Sequence, residues 1–269
     1  MNIYLHEGYM EERKGKAKRL QTIGITLIAI SFILSLFSFN VEYAYLIFLA
    51  YPFLLVGFPM WTMGRNAVRR LSGPQADTVL NNELRGLNAK YSLHHYPKVG
   101  ETYVPHMLIT PDGIIALVTS DAVGPITCKG GQGGDNWRSQ TNFLDRMTGL
   151  KPPVGNPSLE LQAAVNAAKT LLQQIGKPDA PVKGIAVFTR NPDITIEECS
   201  FSGVPMNEVR EALAEAQAGL GGETGGRGGT TLTTDDRRKL DAALAPTFIT
   251  TRAGAEPPKT SRPPRPVKR

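Results

Sequence analysis

The side chains able to do chemistry are few and scattered. His94, His95 and His106 fall on two predicted strands, and no acid lies near them at the spacing a zinc site needs. They read as hydrogen-bonded or solvated strand histidines. Cys128 and Cys199 are isolated from one another, so they suggest neither a disulfide framework nor a zinc pattern. The expectation is two free, partly buried thiols in a reducing compartment. Two glycine-rich stretches, 129–134 and 219–229, tempt a phosphate-cradling reading. Neither contains GxxxxGK[ST], and neither clearly joins a strand to a helix. Asp77 stands near the start of a predicted helix, where the dipole favours an acid. The formal charge is +6, and the excess lies mainly at the two ends of the chain, which is weak support for a basic nucleic-acid face on a folded domain.

The elements that must position these residues begin with a membrane segment. Residues 22–39 read TIGITLIAISFILSLFSF, uncharged throughout. At about 1.5 Å per residue they span roughly 27 Å, close to the hydrocarbon thickness of a bilayer. After a polar break at Asn40 and Glu42, residues 43–63 form a second uncharged run. Tyr43, Tyr45 and Trp61 sit near its ends, where amphipathic rings favour the interface. Pro52 and Pro59 are tolerated there as kinks. Spans this close form a hairpin. Arg13, Lys14, Lys16, Lys18 and Arg19 precede it, Arg65, Arg69 and Arg70 follow it, and the turn has no Lys or Arg. The positive-inside rule then places both termini in the cytoplasm, with the cell inner membrane as the expected location. A cleaved signal peptide fits poorly, since a second span follows at once.

The expected division is a basic N-terminal segment over 1–21, two spans over 22–63, one α/β domain over 72–250 and a disordered, basic, proline-rich tail over 251–269. Within the domain, the spacing of Leu80, Leu84 and Leu87 predicts a helix over 72–91. Strands are predicted over 91–96, 103–110, 114–119 and 182–188, with short ones at 194–196 and 203–204. Pro111-Asp112-Gly113 makes the turn of a β-hairpin. Residues 129–153 read as an irregular insertion around Trp137. Helices are predicted over 158–175, 206–218 and 234–245, the last with Thr234 as its N-cap.

Four stretches carry a resemblance: GPQADTVLNNELRGL at 73–87, VPHMLITPDGIIALVTSDAVGPI at 104–126, NPSLELQAAVNAAKTLL at 156–172 and VKGIAVF at 182–188. Together they resemble the nuclease-related domain (NERD) family of the restriction-endonuclease-like superfamily, and the hairpin stretch is the most specific. The resemblance implies an α/β/α domain with a mixed sheet behind the transmembrane hairpin. The family's chemistry uses Mg²⁺ held by an Asp before the first hairpin strand and by Glu-x-Lys on the next. Aligned on Pro-Asp-Gly, Pro105 stands at the Asp position, Val118 at the Glu and Ser120 at the Lys. None can bind the metal or supply the positive charge. Asp77 matches the family's helical acid in kind, and Gln162 its helical Gln, as residual groove residues. Asp121 and His106 would face the other way on regular strands.

The resemblance thus implies a pseudoenzyme: the endonuclease-like fold kept, the metal site lost and no cofactor expected. The leading expectation is a membrane-anchored binding or scaffolding module, with the lipid bilayer and an unknown protein or nucleic acid as partners. The basic tail could also meet anionic lipid. One alternative is a Mg²⁺-dependent DNA-processing nuclease with a displaced site, drawing on Asp77 with Asp112 or Asp135. Another is a subunit of a larger membrane complex, with Pro52, Gly57 and Pro59 shaping a helix-packing surface.

Overall fold

The computed structural model describes residues 1–38, 43, 45–72, 76–131, 134–140, 154–190, 192–222, 232–244 and 249–252. The chain opens with strand β1 (Asn2–Leu5), then helices α1 (Glu7–Phe37), α2 (Leu46–Ser72) and α3 (Ala76–Glu83). Strands β2 (Ser92–His95), β3 (Lys98–Val99), β4 (Thr102–Tyr103), β5 (His106–Ile109), β6 (Ile114–Ser120), β7 (Ile126–Lys129) and β8 (Asn136–Ser139) follow. Helix α4 (Pro157–Gln174) leads to β9 (Val182–Phe188), β10 (Ile194–Glu197) and β11 (Ser202–Pro205). After a 3-10 turn at Met206–Glu208 come α5 (Val209–Gly222), α6 (Thr234–Leu244) and β12 (Ile249–Arg252).

The main sheet has the order β11-β9-β6-β5-β2-β1-β12 and is mixed. Strands β1, β2, β6, β9 and β11 run one way, and β5 and β12 oppose them. Period-2 alternation gives the sheet two apolar faces. On one, Ile114 and Ala116 pack with Val165, Ala168 and Leu172 of α4 and Leu240 of α6. On the other, Ile115 and Leu117 pack with Leu80 of α3, Leu84 just past its end and Leu213 of α5. The α/β reading and the mixed sheet are therefore present, with helices covering both faces.

Several boundaries differ from expectation. The first residues are not merely a basic leader: β1 pairs with β2 from Asn2 opposite Ser92 to Leu5 opposite His95. The far end of the sheet likewise passes residue 250, because β12 pairs with β1 through Arg252. The sheet thus reaches beyond 72–250 on both sides. The helix expected over 72–91 is much shorter. Ser72 ends α2, and past Glu83 the chain turns at Gly86, whose φ of +102° is a conformation that favours glycine. The strand expected over 103–110 is interrupted at Pro105, which has no N–H for a ladder. Trp137 lies in a regular strand, β8, paired with β7 opposite Cys128. Residues 219–222 continue α5 instead of starting a linker. The N-cap of α6 is Thr233: its Oγ1 accepts from Asp236 N at 3.1 Å, and Thr233 N donates to Asp236 Oδ2 at 3.0 Å. The expected residues of the inter-span turn (Asn40, Glu42), residues 73–75 near the start of the expected 72–91 helix and the tail from 253 onward lie outside the described residues.

Helices α1 and α2 are both long and apolar enough to span a membrane. Their outward faces carry large apolar side chains, among them Phe48 at 77% exposed and Leu55 at 71%. A continuous surface of that kind is unfavourable in water and favourable in lipid. Between the helices the contact is close. A Cβ at Gly24 would strike the backbone of Trp61 and Gly57, and one at Gly64 would strike Gln21. Ser31 Oγ donates to Ala50 O at 2.8 Å across the pair, consistent with small residues and hydroxyls joining membrane helices.

Candidate functional site

Only His6 separates β1 from α1. It caps the helix, with Nδ1 accepting from Tyr9 N at 3.2 Å. Helix α1 therefore rises from the carboxyl ends of the parallel strands, the end at which open α/β sheets commonly place ligands. The titratable side chains of β2 and β5 gather there.

His95 and His106 sit opposite each other on β2 and β5, both with no exposed surface. His95 Nε2 lies 2.8 Å from Asn81 Oδ1, the two Nδ1 atoms lie 2.7 Å apart, and His106 Nε2 lies 3.0 Å from Thr119 Oγ1. With Asn81 presenting its carbonyl oxygen, His95 must donate from Nε2. Its Nδ1 is then an acceptor, His106 donates from Nδ1, and Thr119 O–H donates to His106 Nε2. In this arrangement both rings are neutral and every ring nitrogen has a partner. Burial drives both pKa values down, His95 well below its ordinary value and His106 to about 3, with the two rings also disfavouring each other's charge at His95.

Beside this pair lies an aromatic seam to α1. Tyr96 follows β2 at φ +56° and stacks on Tyr9 at 4.4 Å between centroids. Tyr96 also meets His106 at 5.3 Å, and Tyr9 meets Tyr103 at 5.0 Å. Arg13 lies over the Tyr9 ring. Burial and then the nearby Asp77 carboxylate push the Tyr96 hydroxyl up, so it stays protonated. Asp77 is itself 6% exposed, and burial raises it against the opposing bond from Thr78 N at 2.9 Å. Glu160, at the start of α4, is raised by partial desolvation and lowered by Arg13, although its side chain keeps an exposed surface. The result is a charge-averse, aromatic junction where the sheet meets the stalk of the hairpin.

The positions implied by the resemblance do not build a carboxylate site. Pro105 serves through its carbonyl, which accepts from Tyr96 N at 2.9 Å. Val118 is buried among Ala122, Leu161, Ala186 and Phe188. Ser120 Oγ accepts from Ala122 N at 3.4 Å. Gln162 is exposed on α4, where its Nε2 donates to Asn166 Oδ1 at 3.2 Å, so it does not join Asp77. Asp112 lies in the β5–β6 turn, at the far end of β6 from Ser120, and Asp135 precedes β8. Among the described residues, the group of three or more His, Cys, Asp or Glu side chains close enough to share a metal is Cys128, Asp135 and Cys199, which includes neither Asp77 nor Asp112. Of the orienting cations, Lys16 pairs with Glu12 at 2.6 Å, and Arg65 lies over the Trp61 ring. The side chains of Arg69 and Arg70 lie outside the described residues.

His94 faces the opposite way from His95. Its Nε2 lies 2.8 Å from Asp241 Oδ1, and Ser92 Oγ donates to Asp241 Oδ2 at 3.2 Å, which ties α6 to the sheet. Tyr4 stacks on the His94 ring at 4.5 Å. The expectation of no acid near the histidines considered only neighbours in sequence, and Asp241 lies far along the chain.

The cysteines are the clearest correction. Cys128 and Cys199 form a disulfide, with Cα atoms 6.4 Å apart and a separation of 71 positions in sequence. Parallel pairing of β7 with β10 brings them together: Cys128 is opposite Ile196, and Cys199 lies just beyond the strand. Asp135 adjoins the bridge. Its carboxylate accepts from Ser158 Oγ at 2.5 Å, from Ser200 N at 3.0 Å and from Ser200 Oγ at 3.1 Å. Burial opposes its charge, but these bonds outweigh it and hold the pKa below the ordinary value. Trp137 Nε1 donates to Ser158 Oγ at 2.8 Å. An open groove beside the bridge is lined by Lys129, Gly130, Gly131, Gly134, Asp135 and Asn136. No signal in the sequence spacing pointed to this cluster. Comparison with protein-family models, with curated proteins and with solved structures finds no match to this chain.

Proposed function

We propose that this chain is a membrane-anchored binding or scaffolding module whose endonuclease-like domain is catalytically silent and cytoplasmic. The observation that carries the reading is the direct run of β1 through His6 into α1. The domain is not on a loose leash: its sheet and its membrane hairpin share one continuous backbone. The end of the sheet suited to ligands therefore faces the anchor. What gathers there is a neutral histidine pair, a protonated tyrosine and a desolvated carboxyl, which suits recognition better than phosphodiester hydrolysis. A partner beside the bilayer, protein or nucleic acid, fits this placement.

The test uses the full chain in detergent micelles, since a 72–250 fragment would lack β1 and expose the edge of β2. DNA is offered with Mg²⁺ or Mn²⁺, and no cleavage is expected. Metal-dependent cleavage abolished by Asp77→Ala would establish the nuclease alternative. Binding of nucleic acid that weakens steeply with salt would identify that partner class. Salt-insensitive absence of binding would leave a protein partner, or a larger membrane complex built on the hairpin.

A second reading of orientation rests on the Cys128–Cys199 bridge. Persistent disulfides favour oxidising compartments, which would place the domain outside the cell. The basic flanks of the hairpin favour the inside, and their number makes that the leading orientation. A Glu101→Cys reporter separates the two, because Glu101 has 98% of its side chain exposed. A membrane-impermeant maleimide labels it in intact cells only if the domain is outside.

A further inference from the structure

We propose that Cys128, Cys199 and Asp135 form a redox-gated site for a soft divalent cation such as Zn²⁺, closed while the disulfide is formed and opened by its reduction. The two sulfurs and a carboxylate oxygen lie within 4.8 Å of one another. Around a tetrahedral zinc, with Zn–S about 2.3 Å and Zn–O about 2.0–2.2 Å, such atoms stand roughly 3.3–3.8 Å apart. A bonded pair of sulfurs must therefore part by roughly 1.7 Å, and the carboxylate must close by at most roughly 1.3 Å.

The surroundings suit such a site. Bonds from Ser158 and Ser200 orient the Asp135 carboxylate, as outer partners do for metal ligands. An open groove reaches the cluster at Asp135, which lines it together with Gly130 and Gly131. Chemistry also favours a cation. In the oxidised state the cluster carries one negative charge, that of Asp135. In the reduced state a cation offsets the like charges of two thiolates and a carboxylate brought this close together.

The step balances. A dithiol donor gives two electrons to the Cys128–Cys199 bond, which breaks. The donor closes to its own disulfide, and its two protons end on the two cysteine sulfurs. Cation binding then releases those two protons as both sulfurs become thiolates. The site does not depend on which side of the membrane the domain occupies; the compartment sets only which state prevails.

The test uses the full chain in detergent, divided into oxidised and reduced portions of identical sequence. The reductant is removed anaerobically, Zn²⁺ is added, and retained metal is measured after gel filtration. One equivalent in the reduced portion and none in the oxidised portion is expected. Co²⁺ in place of Zn²⁺ should give thiolate-to-cobalt charge-transfer absorption in the reduced portion only. Asp135→Asn should weaken retention at least about tenfold, and Cys199→Ser should abolish it. Equal retention in both portions would overturn the proposal, as would no retention in the reduced portion. Circular dichroism is recorded alongside, and loss of the fold on reduction would overturn it too, because the ligands would no longer be assembled.

Discussion

His95 and His106 face each other across β2 and β5 with their Nδ1 atoms 2.7 Å apart, and only one proton fits between them. Charging both rings would put two N–H groups head to head in a site with no exposed surface. Both rings are held neutral far below the ordinary histidine value of 6.5. The unfolded chain takes up those protons near that value, so between there and about pH 3 it binds more protons than the folded chain. Stability is therefore full above about pH 6.5 and falls as the pH drops, by about 1.4 kcal/mol per pH unit for each histidine. Denaturant midpoints measured from about pH 7.5 down to 5 should show this decline. The double variant His95→Phe/His106→Leu should flatten it, and an unchanged slope would show that the acid sensitivity arises elsewhere.

The latch on the other side of β2 gives a second test. Asp241 accepts from Ser92 and meets His94 Nε2, although it lies on α6, far along the chain. Asp241→Ala leaves two polar groups of β2 without these contacts, at a cost of about 2–3 kcal/mol. Asp241→Asn keeps the shape and a carbonyl acceptor, and should lose less than half as much. Equal losses in urea unfolding would mean that packing, not the hydrogen bonds, sets the cost.

What was legible in the sequence is what depends on short-range pattern. The β5–β6 hairpin follows from Pro111-Asp112-Gly113 between apolar runs, and α4 from Asn156-Pro157 ahead of an apolar stripe. The two long apolar helices follow from length and the absence of charge. What stayed hidden depends on pairing between distant segments. Asn2–Leu5 carries no strand signature strong enough to compete with the basic helix that follows, and it becomes a strand because β2 offers an unpaired edge. Asp241 reaches His94, and Cys199 reaches Cys128, only through strand order and helix docking. The histidines looked like surface residues because alternation around them is blurred: all of Ser92–His95 and His106–Ile109 is buried. A sheet covered on both faces erases the period-2 signal that would have shown which way each ring points.

The disulfide closes a loop of 71 residues, so in the chain-entropy view its loss favours the unfolded state by about 4 kcal/mol, and measured bridges commonly give 2–4. Reduction of the full chain should lower the urea midpoint of the soluble domain accordingly, without changing the helical signal of α1 and α2. Added Zn²⁺ should recover part of the loss in the reduced chain and none in the oxidised one. A midpoint that does not move on reduction would mean that β7 and β10 hold their pairing without the bridge.

The last prediction concerns the hairpin, where backbone meets backbone. Gly24 and Gly57 face each other, and Gly64 lies against Gln21, so no Cβ can be added at these points without parting the helices. Lipid gives little hydrophobic drive for helix association, so close approach and the Ser31 to Ala50 bond must hold the pair. Gly24→Leu should therefore splay the helices along their length, whereas Gly15→Leu, where a Cβ meets nothing within 4 Å, should not. A cysteine pair at Ser31 and Ala50 reports the difference, since it can crosslink in membranes only while the helices touch. Crosslinking should be efficient in the parent and in Gly15→Leu, and should fall at least about tenfold in Gly24→Leu, the fold-change of a ~1.4 kcal/mol loss of association. Because α1 continues into β1, the splaying should also reach the sheet. Hydrogen exchange at Asn2–Leu5 should quicken in Gly24→Leu, and exchange that stays slow would show that the stalk isolates the domain from its anchor.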